Sequence, residues 1–175
     1  MSYLRDSAMT AAVLGFFASS WFGWAQERPP TRWKAPLTAG SVASLLVAAV
    51  GAVVAWRNWS TGSALGEPGA MRQYGIIVGV EFGIAALGAA GIALWGRQRY
   101  LAPWICLVVG VHFWPMAPVL RSPSLYALGA LLTVVALASV PVSRVSGLTQ
   151  SAVTGAAAGT VLFGFATWGA VAALT

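Results

Sequence analysis

Apolar residues fall into six long blocks along this chain, each close to the twenty or so residues a helix needs to cross a bilayer. They run near Ala8 to Gln26, Pro36 to Trp56, Tyr74 to Gly96, Tyr100 to Val119, Ser124 to Val142 and Leu148 to Leu174. Short polar punctuation separates them. Pro29-Pro30 and Pro36 frame the first connection, Gly66-Glu67-Pro68-Gly69 turns the second, and Gly96-Arg97-Gln98-Arg99 closes the third tightly. Arg121-Ser122-Pro123 and Ser143-Arg144 supply the last two. The longest loop, Arg57 to Gln73, leaves no room for a soluble domain. The pattern predicts an all-α polytopic membrane protein, residues 1–175 forming one bundle of about six spanning helices.

Composition agrees. Of 175 residues 58% are hydrophobic and 8% charged, with a mean hydropathy of +0.77. A water-soluble domain carries roughly 25% charged residues, and a disordered chain lacks this much apolar surface. The formal charge is +6, but the basic residues sit at the ends of apolar blocks, where helix flanks meet phospholipid headgroups. The implied partner is a lipid bilayer and not a nucleic acid, and the expected location is a multi-pass position in the bacterial plasma (inner) membrane. Cys106, the one cysteine, lies inside a block and reads as a small buried hydrophobe. The first block passes through Trp21 and Trp24 to Gln26-Glu27-Arg28 without a small-residue cleavage box, so it reads as a spanning helix.

Six spans put both termini on one face, here the terminal face. The far face holds Arg28, Arg32, Lys34, Arg97, Arg99 and Arg144, and the terminal face Arg5, Arg57, Arg72 and Arg121. That imbalance leans towards termini outside and leaves orientation open. Gly75, Gly79 and Gly83 form a G-x-x-x-G-x-x-x-G stripe on the third helix, and Gly155 with Gly159 a shorter one on the sixth. Such stripes let backbones approach closely. The expected use is packing within the bundle; the alternative is a homo-oligomer seam. An echo at an offset of 93 aligns Trp21, Arg28, Pro30, Thr31 and Trp33 with Trp114, Arg121, Pro123, Ser124 and Tyr126. It is the trace expected of a weak 3+3 inverted repeat.

Ionisable groups at membrane depth cost about 2.5–3.5 kcal/mol each unless paired, neutralised or wetted, so they point to function. Glu81 lies about 10 Å below the terminal face at 1.5 Å per residue. His112, entering from the other side, lies roughly 12 Å from that same face in a core about 30 Å thick. Neighbouring antiparallel helices joined by a tight turn therefore bring Glu81 and His112 within hydrogen-bonding reach. Glu81 faces away from the glycine stripe, on a side carrying Tyr74, Val78, Ala85 and Gly88. The bland reading of the pair is a polar clasp between helices; the functional one is a proton-active site. Ser20, Trp24 and Glu27 share a face at the far end of the first helix, as an interfacial salt bridge with Arg28 or as a second polar site. Trp21, Trp24, Tyr74, Phe82, Phe113 and Trp114 are the candidate aromatic lining of a substrate pocket.

There is no glycine-rich phosphate loop, no second histidine, no Ser-His-Asp set and no Asp-rich diphosphate motif. No cofactor and no metal are expected. Gly110-Val111-His112-Phe113-Trp114-Pro115 resembles the G-x-H-[FY]-x-P core of small bacterial multi-helix membrane proteins, and Trp21 to Glu27 and Tyr74 to Phe82 resemble other segments of such actinobacterial proteins. That resemblance implies a fold without a chemistry. In site character the chain is more loosely similar to small integral-membrane terpene cyclases, which also place carboxylic acids among aromatic residues within the membrane.

The leading expectation is an intramembrane acid/base enzyme on a lipophilic, isoprenoid-like substrate. Glu81, carried as the neutral acid, protonates an alkene or epoxide, His112 sets its protonation, and the aromatic lining steadies a carbocation. Alternatives are a proton-coupled transporter or channel using Glu81 and His112, and a non-catalytic assembly subunit. A closed cavity with one lateral opening favours the enzyme and vestibules meeting at mid-membrane favour transport. A filled core with exposed glycine faces favours assembly.

Overall fold

The computed structural model describes residues 3–174. It forms six helices: α1 (Leu4–Ala25), α2 (Thr31–Arg57), α3 (Ala70–Leu94), α4 (Leu101–Val119), α5 (Ser124–Ser146) and α6 (Gln150–Leu174). All six are long and apolar enough to cross a membrane, and no strand occurs among the described residues. The protein is a polytopic membrane bundle of six helices, as the block pattern predicts.

Four boundaries lie four or five residues from expectation: α1 starts at Leu4 and not Ala8, α5 runs on to Ser146 and not Val142, and α2 and α3 both start early. Helix α2 starts five residues before Pro36, because a proline near the first turn forfeits only one ladder bond. Helix α3 starts at Ala70, behind Gly69 in a left-handed conformation, and not at Tyr74.

Helix α1 is the axis of the fold, packed along its length against α6 and α2. Its contact surface is built of small residues: Ala8, Ala11, Ala18 and Ala25 are fully buried. Their partners are glycines. A Cβ on Gly51 would lie 2.7 Å from the Ala8 carbonyl oxygen, and one on Gly155 2.7 Å from that of Trp21. In a bilayer, where lipid tails are as apolar as leucine, such backbone approaches hold helices together through dispersion. Helices α4 and α5 pair in the same way, with Gly110 and Gly129 against each other's backbones. Helix α6 bridges the two groups.

Helix α3 stands apart. Its one substantial contact with a long helix is with α4, and none of its central residues is buried. The neighbour order α2–α1–α6 has a counterpart in α5–α4–α3, the order an inverted 3+3 repeat would produce. The packing is not symmetric, since α6 also touches α2, α4 and α5.

The turn between α3 and α4 positions the site. Gly96 adopts φ +66° just past the end of α3. The Arg97 amide donates to the Ile92 carbonyl at 2.9 Å and the Gly96 amide to Ala93 at 3.0 Å. This is the Schellman arrangement that favours glycine at the left-handed position. Helix α4 ends in the same motif, with Ser122 donating to Ala117 at 3.0 Å, but here the left-handed residue is Arg121 at φ +50°. A side chain in that region costs about 1 kcal/mol, and the exposed Glu67–Arg121 ion pair at 3.4 Å offsets little of it. Arg121→Gly is therefore expected to raise stability by up to about 1 kcal/mol. The check is a denaturant midpoint in detergent; a lower midpoint would show that the ion pair outweighs the strain.

Candidate functional site

Helices α3 and α4 form an antiparallel hairpin, so residues equally far from the turn come level. Glu81 precedes Gly96 by fifteen residues and His112 follows it by sixteen. The structure brings them together: His112 Nδ1 lies 3.2 Å from Glu81 Oε1, and each side chain is 14% exposed. The approach lies off the hydrogen-bonding direction, so His112 Nδ1 is buried without a hydrogen-bond partner. An acid and a base thus share one partly enclosed position at the edge of the bundle.

A second contact holds the hairpin two turns away. The Trp104 indole N–H donates to the Ala85 carbonyl at 3.2 Å, and its ring fills the space above Gly88, where any Cβ would collide with it. Its place in the sequence marks Trp104 only as an aromatic near a helix end. The signal that would have singled it out is the same level rule, since Gly88 and Trp104 are each eight residues from Gly96.

One turn to the terminal side of the pair, the hairpin opens into a groove of about 430 Å³ lined by Gln73, Ile76, Ile77, Pro115, Pro118 and Val119. Ile77 lies one turn before Glu81, and Pro115 three residues after His112. Pro115 and Pro118 bring no backbone N–H, so the carbonyls of Val111 and Trp114 lose their usual helical donors beside the groove. The groove is open to the outer surface of the bundle. A second shallow groove on α5, along Pro141, Val142, Val145 and Ser146, is open too. Neither of these best-formed concavities is a closed chamber.

The expected aromatic lining does not assemble. Phe113 and Trp21 are buried in the core cluster shared by α1, α4, α5 and α6. Trp24 stacks on Trp21, centroids 5.3 Å apart, at the far end of α1. Phe82 is 65% and Trp114 53% exposed, Trp114 lying against Gly129 of α5. Tyr74, half-buried two turns before Glu81, is the one candidate aromatic on the Glu81 face of α3. The reason is angular. Trp114 follows His112 by two residues and Phe82 follows Glu81 by one, which turns them about 200° and 100° around their helices.

Ser20 and Glu27 form no second site. Ser20 Oγ donates to the Phe16 carbonyl at 3.1 Å. Glu27 is exposed beyond α1, and no salt bridge joins it to Arg28 among the described residues. The two glycine stripes also part company. Gly155 and Gly159 pack on Trp21, Phe22 and Ala25 of α1, as expected. Nothing lies within 4 Å of a Cβ on Gly75, Gly79 or Gly83. The α3 stripe faces away from the bundle, and the Glu81 face makes the intramolecular contact instead.

Fold and site together define a six-helix membrane bundle with one intramembrane Glu–His pair beside an open groove. The chain matches no protein-family model, no curated protein and no solved structure.

Proposed function

We propose that the protein is a plasma-membrane enzyme that moves a proton on an unsaturated lipophilic substrate, reached laterally from the bilayer. The observation that carries this reading is the Glu81–His112 approach at 3.2 Å beside the open α3–α4 groove. The neutral Glu81 carboxyl gives its proton to one alkene carbon. His112 takes a proton from the allylic carbon on the far side of the double bond, which moves by one position, and returns the proton to Glu81. The product is an isomer of the substrate, and both groups end as they began. An isoprenoid chain fits an apolar groove of this size. The scattered aromatics and the open form of the α3–α4 groove favour a concerted shift of this kind over cyclisation through a free carbocation, which needs shielding from water.

The test is LC–MS of lipid extracts from isoprenoid-supplied cells expressing wild type or Glu81→Gln. A product isomeric with its precursor, present with wild type and at least about a hundredfold reduced in the variant, is expected for loss of a general acid. Matching extracts from two well-folded, membrane-inserted proteins would overturn the reading.

A second reading, an assembly subunit whose α3 seats another helix, is favoured by the open Gly75–Gly79–Gly83 face. Gly79→Leu separates the two. It removes higher-order species in detergent under the assembly reading and leaves isomer formation intact under the enzyme reading.

A further inference from the structure

The far face carries a second cluster that the Glu81–His112 chemistry does not use. Its loops hold six Lys and Arg residues against one acid, Glu27, and none of the six is ion-paired among the described residues. Three of them, Arg97, Arg99 and Arg144, lie where the α3–α4 turn meets the end of α5. The Arg99 guanidinium carbon sits 4.8 Å from the centre of the Tyr100 ring. Arg144, near the end of α5, comes close enough for its charge to act on the Tyr100 phenol, as that of Arg99 does. The turn carrying Arg99 and Tyr100 also packs against α6, whose first residue is Gln150.

Two guanidiniums beside one phenol repel each other, and neither has a carboxylate partner among the described residues. Each keeps several N–H donors beyond the one a phenol oxygen can accept. The level is also informative. Trp95, 78% exposed, caps α3 one turn before Arg99, and such tryptophans mark the membrane–water interface. The cluster therefore lies at the depth of lipid phosphates. Guanidinium pairs bind phosphate oxygens with directed, charge-assisted hydrogen bonds.

We infer that Arg99, Tyr100 and Arg144 form a binding site for the phosphate headgroup of an anionic phospholipid, with Arg97 at its rim. The site is independent of the acid/base reading.

The experiment uses the full chain purified in detergent, with bound lipid counted by native mass spectrometry after addition of phosphatidylglycerol or phosphatidylcholine. Wild type is expected to retain phosphatidylglycerol in preference. Arg99→Gln/Arg144→Gln should weaken that binding by about fivefold per charge removed, the effect of one basic residue at an anionic surface. Arg57→Gln/Arg72→Gln, which removes as much charge from the terminal face, should leave it within about twofold. Tyr100→Phe, which keeps both charges and removes only the phenol oxygen beside them, should weaken it by less than the double variant and serves if that variant folds poorly. Equal retention of the two lipids, or equal loss in the two double variants, would overturn the site. So would displacement of phosphatidylglycerol by inorganic phosphate at matched ionic strength, which would make the ligand a free anion and not a lipid.

Discussion

Gly155→Leu is expected to prevent the bundle from assembling, whereas Gly79→Leu, the same change in the other glycine stripe, leaves it standing. A Cβ on Gly155 would lie 2.7 Å from the Trp21 carbonyl oxygen and 2.8 Å from the Ala25 amide nitrogen. Both neighbours are backbone of α1, and neither can swing aside without moving the helix that organises the fold. Overpacking a core against side chains costs about 1–3 kcal/mol; against fixed backbone the upper end of that range is the minimum to expect. Around Gly79 there is open space, and leucine gains about 1 kcal/mol in helix propensity over glycine. Folded yield by size exclusion in detergent and the melting of tryptophan fluorescence measure both. Equal behaviour of the two variants would contradict the assignment of the stripes.

Gly88→Leu is expected to have the largest effect on the site with a small effect on the bundle. The Trp104 ring occupies the space a side chain at position 88 needs, so a leucine there pries α3 from α4 and breaks the indole bond to Ala85. Glu81 sits two turns along the same helix, and its approach to His112 depends on that seating. Because α4 is the one long helix on which α3 packs substantially, the remaining five helices should keep their contacts and most of the melting temperature. The prediction is loss of isomer formation in cells to the level of Glu81→Gln, with melting lowered by only a few degrees. A collapse of the whole protein would mean that α3 is structurally central.

Much of this was legible in the chain, and the failures share one cause. Spanning helices are read from length and hydropathy, which is why all six emerge from the apolar blocks. The level of Glu81 with His112 follows from counting residues on either side of a tight turn, and that count needs no knowledge of side-chain direction. What counting does not give is the neighbour of each helix. A G-x-x-x-G stripe says that close approach is possible, not which helix approaches. On α6 the neighbour is α1; on α3 the bundle supplies none. The aromatic pocket failed for the same reason. Phe113 turns into the core cluster that α4 shares with α1, α5 and α6, and Trp114, one residue on, lies over Gly129 of α5 and stays half exposed. Pro36 misled the start of α2 because proline is a weaker stop near a helix N-terminus than in its interior.

His112 is the only histidine in the chain, so 15N-histidine labelling reports on that one ring. The ring-nitrogen spectrum of the detergent-solubilised protein, compared between wild type and Glu81→Gln, tests the contact on which the functional reading rests. A shift of the Nδ1 resonance on Glu81→Gln, absent in the exposed control Glu67→Gln, is the expected result. Superimposable spectra of wild type and Glu81→Gln would show that the two groups do not meet, and the proton-transfer site would fall with them.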